Sequence, residues 1–197
     1  MSPTLLFATR NPHKKALFAP VFAGHGIRCL TLYDAGLAQR AVPETGRTPE
    51  ENALLKARAY HGERWPLVFG DDAGLEVDAL GGEPGVQVRR WNGRFQDDVD
   101  DETWLAYLLH RLEGVPQARR TARWVAAWVV IAPDENEYVH HVAHEFTIAE
   151  RPLRPILPGS PMSAVELHQE DHLSYRQAWI AAQWAEWGLL DRIARWR

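Results

Sequence analysis

The 197-residue chain is long enough to bury about 70% of the surface its unfolded form exposes, so a core needs no metal or disulfide. Hydrophobic residues at 46% and charged residues at 24% exclude wholesale disorder, and a net charge of −4 excludes the cationic footprint of a protein that grips nucleic-acid polymers. The single cysteine, Cys29, excludes an internal disulfide and a cysteine-based zinc site.

That cysteine usage fits a reducing compartment, and no stretch approaches the roughly 18 apolar residues of a membrane helix. Met1-Ser2-Pro3-Thr4 lacks the basic start of a secretory signal, so a cytoplasmic protein with no membrane contact is expected. The chain opens with the apolar run Thr4–Thr9, which reads as a buried strand. Asn11 can cap a helix with Pro12 at its first position; the helix runs to about Ala23 and stops at Gly24. Ile27–Leu32 predicts a second strand. Thr48-Pro49-Glu50-Glu51 is a capping box, and the helix it starts presents Ala53, Leu54, Ala57 and Tyr60 to the core. Leu67-Val68-Phe69 predicts a short strand ending at Gly70-Asp71-Asp72-Ala73-Gly74, and Gly81–Gly85 predicts a loop.

The acidic run Asp97–Asp101 suits a helix start, and Trp104, Leu105, Leu108, Leu109 and Leu112 follow at helical spacing. Val125–Ala132 and Tyr138–Ile148 read as two strands joined by a turn at Pro133–Asn136. Four prolines between Arg151 and Pro161 exclude regular structure there. From Ser174 the chain is helical, with a stripe of Trp179, Ile180, Trp184 and Trp187. Core packing or a subunit contact is the favoured role for these tryptophans, stacking on a ligand base the alternative. The alternation of strands and helices makes this an α/β protein, read as one domain over residues 1–197.

Three places could carry chemistry. Asp71-Asp72 at the predicted strand end sits where open α/β sheets hold ligands, and neighbouring strand residues point apart, so one of the two is expected to face the site. The turn from Thr9 to Lys14 leads into a helix start, with unpaired N–H groups and a lysine one turn in, which suits a phosphate. Glu44 precedes the second helix, and Lys56 sits in its second turn or just beyond. A magnesium ion held with substrate phosphates takes only one or two protein carboxylates. His140, His141 and His144 could bind a metal, but they lie on a predicted strand and are expected instead to alternate into solvent. Of the 22 basic residues only three are lysines, Lys14, Lys15 and Lys56, so a lysine that survives this arginine bias is worth locating.

In order, the motifs resemble one family. Ala8-Thr9-Arg10-Asn11-Pro12-His13-Lys14 resembles A-T-x-N-x-x-K, and Glu44–Ala57 resembles E-T-G-x-T-x-x-E-N-A-x-x-K-A. Asp71–Val86 resembles D-D-S-G-L-x-V-x-A-L-G-G-x-P-G-V, and Arg90 continues it. These are similar to the inosine triphosphate pyrophosphatases, densely so over roughly residues 5–95. The resemblance implies an elongated mixed β-sheet with flanking helices, two lobes around a central cleft, and commonly a homodimer. It also implies magnesium-dependent hydrolysis of aberrant purine nucleoside triphosphates (ITP, XTP, dITP) to monophosphate and pyrophosphate. Glu44 and Asp72 would hold the magnesium, and Asp72 would orient or deprotonate the attacking water. Thr9, Asn11, Lys14 and Lys56 would hold the triphosphate, and Arg10, Ala73, Arg90, Ser174, Tyr175 and Arg176 fall at further substrate-binding positions.

The second half departs from the pattern. Ala73 replaces a serine, the segment G-F-G-Y-D-P-x-F is not recognisable, and S-H-R becomes Ser174-Tyr175-Arg176, with His172 the nearest basic residue where a lysine is usual. A relative that binds a nucleotide or protein without turnover, or a pyrophosphatase for another modified nucleotide, are the alternatives this leaves.

Overall fold

The computed structural model describes residues 2–40, 42–168 and 171–196. Its elements are β1 (Thr4–Phe7), α1 (Pro12–Gly24), β2 (Arg28–Thr31), α2 (Pro49–Tyr60), β3 (Val68–Val77), β4 (Pro84–Gly85), α3 (Asp101–Arg111), β5 (Thr121–Ile131), β6 (Glu137–Thr147), α4 (His172–Trp187) and α5 (Leu190–Ile193). The six strands form one sheet in the order β2-β1-β3-β5-β6, with β4 paired to β3. It is mixed, since β1 runs parallel to β2 and β3 while β4 runs antiparallel to β3. The expected α/β class with flanking helices is what the chain adopts. Among the described residues no helix is long and apolar enough to cross a membrane.

The chain divides into two compact units. The first comprises Met1–Asp72, Ala126–Val142 and Leu173–Arg197. There the period-two alternation of the strands sorts side chains onto two faces. Leu5, Phe7, Phe69, Trp128 and Val130 pack with Phe18 and Phe22 of α1 and Ile180 and Trp184 of α4. Leu6, Ala8, Val68, Ala127 and Val129 pack with Ala53, Ala57 and Tyr60 of α2. Trp184 is fully buried, its ring 5.1 Å from that of Phe22, 5.3 Å from Phe69 and 5.4 Å from Trp128. Ile180 and Trp184 of the tail's stripe are therefore core, with Trp179 and Trp187 partly buried against it.

The second unit comprises Ala73–Val125 and Ala143–His172. Trp104, Leu105, Leu108 and Leu112, on α3 and just past its end, pack with Leu75, Val77 and Trp91. Asp100 caps α3, its carboxylate accepting the Thr103 N–H at 2.6 Å. At the other end buried Arg120 donates to the Leu112 and Val115 carbonyls, both at 2.9 Å, so its charge meets the negative end of the helix.

One expectation fails informatively. Gly70–Gly74 is not a turn, and β3 runs unbroken through both aspartates. What ends at Phe69 is the pairing with β1, whose last registered residue, Phe7, stands opposite it. The aspartates thus lie beyond the end of a neighbouring strand without their own strand ending. The loop expected at Gly81–Gly85 also contains the short strand β4, Leu75 standing opposite Gly85.

Candidate active site

Within the first unit, two helices and one strand deliver four charged side chains, and the loop before the second helix adds a fifth, Glu44. From β3, successive side chains point to opposite faces. Asp71 therefore shares the face of Phe69 and meets α1, where Lys14 Nζ lies 2.5 Å from its Oδ2. Asp72 shares the face of Val68 and Gly70 and meets α2, where Lys56 Nζ lies 2.6 Å from its Oδ1. The same Lys56 ammonium lies 3.1 Å from Glu44 Oε1. Both aspartates are engaged, where one was expected. Each meets a different lysine because each meets a different helix.

Small residues bring α2 this close. A Cβ built on Gly70 would lie 2.3 Å from the Ala53 carbonyl oxygen and 3.1 Å from Ala57 Cβ, so strand and helix touch through glycine and two alanines one turn apart. Asn52 and Lys56, each one position earlier, then face Asp72. Asn52 is buried; its amide donates to Asp72 Oδ2 at 3.2 Å, and its Oδ1 accepts the Gly46 N–H at 2.8 Å. A Cβ on Gly46 would lie 2.6 Å from that Oδ1 and 2.6 Å from Glu51 Cβ, so the loop carrying Glu44 can dock on α2 only as glycine. Asn52 had no assigned role from sequence, although it sits inside the second motif. The clue was the requirement that a buried amide satisfy both its ends.

Three carboxylates against two ammoniums make the cluster anionic overall. Burial pushes the Asp72 carboxyl above the ordinary carboxylate range; Lys56 and Lys14 oppose this, and Glu44 adds to it. Burial opposes the charge on Lys14, but Asp71 and Asp72 outweigh it and its pKa rises. Glu44 and Asp72 supply hard oxygen donors, and both point at one cation, the Lys56 ammonium. The donor set and its convergence fit a divalent ion such as magnesium, which prefers oxygen and one or two carboxylates.

The turn between β1 and α1 is more self-contained than expected. Asn11 Oδ1 accepts from the His13 N–H at 2.8 Å and the Lys14 N–H at 3.4 Å, and Thr9 Oγ1 accepts the Asn11 N–H at 3.1 Å. The N–H groups expected to be unpaired are held by the predicted cap, and Lys14 with the helix dipole remains as the positive end. Arg10 is exposed beside it. Ser174 and Tyr175 lie in the first turn of α4 and Arg176 opens the second; the helix meets α1 where Gln177 donates to the Ala16 carbonyl at 2.8 Å. The Arg176 guanidinium lies 5.1 Å above the Trp179 ring. Ala73 and Arg90 belong to the second unit, and Arg90 pairs there with Asp97 at 2.9 Å.

The histidines behave differently from the expectation of solvent exposure. Of His140, His141 and His144, only His141 is exposed, 2.8 Å from Glu50. His140 stacks on Trp187 and His144 is buried beside Phe146. The aromatic surface that covers them comes from Trp187 of α4 and from Phe146 on their own strand.

The pattern of the Ham1 family matches residues 5–154. This chain belongs to the Ham1 family. The family is the one to which its three ordered motifs pointed, and the match runs past them into the second half as far as residue 154. Among its relatives is a dITP/XTP pyrophosphatase of Geobacillus kaustophilus, 41% identical over 148 residues, covering 75% of this chain and 71% of the relative. Another, from Symbiobacterium thermophilum, is 34% identical over 187 residues and covers 90% of this chain and 91% of the relative. A nucleoside-triphosphatase / dITP/XTP pyrophosphatase structure from Mycobacterium abscessus superposes with a TM-score of 0.59 at 32% identity, covering 91% of this chain and 97% of that one. A HAM1 protein of Coxiella burnetii, with a TM-score of 0.68 and 20% identity over 93% of this chain and 99% of that one, shares the fold.

Proposed function

We propose that the chain is a nucleoside triphosphate pyrophosphatase that cleaves aberrant purine nucleotides of the ITP, XTP and dITP class to monophosphate and pyrophosphate. The observation that carries this is the convergence of Glu44 and Asp72 on the Lys56 ammonium, with a second lysine, Lys14, delivered by a separate helix to the adjacent Asp71. The names of the relatives support the substrate class.

Magnesium, bound by Glu44 and Asp72, would screen the phosphate charge and make a bound water easier to ionise. Lys14 and Lys56 trade their carboxylate partners for phosphate oxygens and neutralise the chain, which phosphoryl transfer demands above all. Asp72 takes the proton of the attacking water; a carboxylate whose proton affinity is raised by burial is the better base. Asn52 positions Asp72 and ties it to the loop bearing Glu44. Thr9 and Asn11 shape the turn that aims Lys14. Arg10, Ala73, Arg90, Ser174, Tyr175 and Arg176 complete the substrate side of this reading, in a single-domain protein that works as a cytoplasmic homodimer.

The test is pyrophosphate release from ITP, XTP, dITP, the four standard triphosphates and several modified pyrimidine nucleotides, with magnesium, beside an Asp72→Asn control. Release from ITP, XTP or dITP that depends on Asp72 is the expected result. Release confined to another base would overturn the purine assignment, and none from folded protein would overturn catalysis.

A further inference from the structure

The second unit holds another convergence of ligand atoms, built from Glu166, His168 and His172. His168 Nε2 lies 3.1 Å from His172 Nδ1, and His172 Nδ1 lies 3.4 Å from Glu166 Oε2. One donor atom from each residue falls within 4.8 Å of the others. Zinc binds nitrogen and oxygen at about 2.0–2.2 Å in a tetrahedron, which separates neighbouring donors by about 3.3–3.5 Å. Both short separations sit close to that edge.

The surroundings orient the donors. The Glu166 and His172 side chains are 2% and 3% exposed. Trp124 Nε1 donates to Glu166 Oε1 at 2.6 Å, which directs Oε2 toward His172. An indole N–H on the outer oxygen is the kind of support that fixes a metal-binding carboxylate. Glu166 itself is pinned by its bridge to Ile148, and His172 is the first residue of α4. One cation is close: Arg154 Nη1 lies 3.4 Å from His168 Nε2, while holding the Ser163 and Glu166 carbonyls at 3.0 Å each. The carbonyl bonds keep this guanidinium in place when the long contact to His168 is given up, and its charge tempers the affinity of the site for a dication.

We infer that Glu166, His168 and His172 bind a divalent transition-metal ion, zinc fitting best, with a fourth position left for water or another ligand. Two imidazoles with one carboxylate select zinc and its neighbours over magnesium and calcium, which prefer all-oxygen sets. The ion joins the Glu166 segment to the start of α4, so its contribution is to the order of this region. It shares no residue with the Glu44 and Asp72 site and differs from it in metal preference. Because the imidazoles must be deprotonated, binding weakens as pH falls.

The experiment uses the full chain, stripped with chelator. It is titrated with cobalt(II), followed by its visible absorption, and with zinc in competition with a chromophoric chelator. One equivalent of zinc, a cobalt spectrum of tetrahedral intensity and a zinc-dependent rise in Tm are expected, unchanged in Asp72→Asn. His168→Ala and His172→Gln should lower zinc affinity by more than about 100-fold, and Trp124→Phe, which keeps every ligand, by about 10-fold. Substoichiometric zinc in the wild type, or one equivalent undiminished by either histidine change, overturns the proposal. If the histidine variants do not fold, an unaltered affinity in Trp124→Phe overturns it.

Discussion

Each unit of the molecule buries a carboxylate amid polar partners, and the partners differ in kind. Asp72 in the first unit is held by the Lys56 ammonium and the Asn52 amide, with exposed Glu44 sharing the same lysine. Glu166 in the second unit is held by the Trp124 indole and the His172 imidazole. Ammoniums on flexible stems can exchange one anion for another, so the first cluster suits a site that loads and releases phosphates and a labile ion. Rings packed by their neighbours cannot swing away; Trp124 is itself stacked on Phe146. The second cluster suits an ion that stays.

The largest effect that separates the two is catalytic. Asp72→Asn should lower the hydrolysis rate by about 10³-fold, within the range a lost general base costs. Glu166→Gln should lower it less than about tenfold while abolishing zinc binding. Equal losses from the two substitutions would erase the distinction. Stability should move the other way. The folded state raises the pKa of Asp72, so it retains a proton that the unfolded chain releases. Its contribution to stability is therefore present below the unfolded pKa and lost as pH rises through the folded one. Melting in chelator across that window should show wild-type Tm falling with pH and Asp72→Asn flat; a Tm that rises with pH in the wild type would reverse the sign argued for burial.

The next effect concerns how closely each unit's strands are approached. Gly70 meets the Ala53 carbonyl at 2.3 Å from a built Cβ, whereas Gly74 in the second unit meets the Gly85 carbonyl at 3.1 Å. Backbone oxygen cannot rotate away. Gly70→Ala should cost about 3 kcal/mol, the upper part of the overpacking range, and Gly74→Ala about 1 kcal/mol. For a chain of this size that is a Tm loss of about 6–12 °C against about 2–4 °C by thermal melting. Gly70→Ala should also slow hydrolysis, since it pushes α2 and therefore Asn52 and Lys56 away from Asp72. A Tm loss with unaltered kcat would show that the site tolerates that displacement.

The same contrast explains which parts of the molecule could be read in advance. Asn11 and Thr48 announce their helices through local capping and cap as expected, and Asp100, inside the acidic run expected to start a helix, caps α3. Lys14, Glu44, Lys56 and Asp72 stand in short ordered motifs, and the structure brings all four together. Asp71 was underrated because alternation along a strand does place it on the opposite face; what alternation cannot say is that a helix with a lysine waits there. The course of β3 through Gly70–Gly74 was missed because Gly and Asp weaken a strand locally, while pairing with partners distant in sequence decides the matter. Glu166, His168 and His172 were invisible as a set for a related reason. Their convergence depends on the bridge from Glu166 to Ile148 and on where α4 begins.

Lys15 supplies the smallest effect and the control for both clusters. It is the neighbour of Lys14 in sequence, but it lies outside the candidate site and pairs with Asp34, each Asp34–Lys15 contact being 2.8 Å. Hydrogen bonds from Lys15, then from the Thr31 N–H and hydroxyl, hold the Asp34 carboxyl down at about 2. A lowered carboxyl contributes stability above its unfolded pKa and loses it as pH falls through the folded one, so the window runs from about 4 down to about 2. The pair is 46% and 31% exposed, and solvent screens it to about 1 kcal/mol or less. Lys15→Ala should accordingly leave hydrolysis unaltered, lower Tm at neutral pH by at most about 4 °C and narrow the acid limb of the stability curve. Lys14→Ala, one residue earlier, should raise KM for the triphosphate and also lower Tm, because it leaves the buried Asp71 carboxylate without its cation. If the two substitutions behave alike, the ammonium at Asp71 is a surface pair like the one at Asp34, and the first cluster loses one of its two phosphate-neutralising charges.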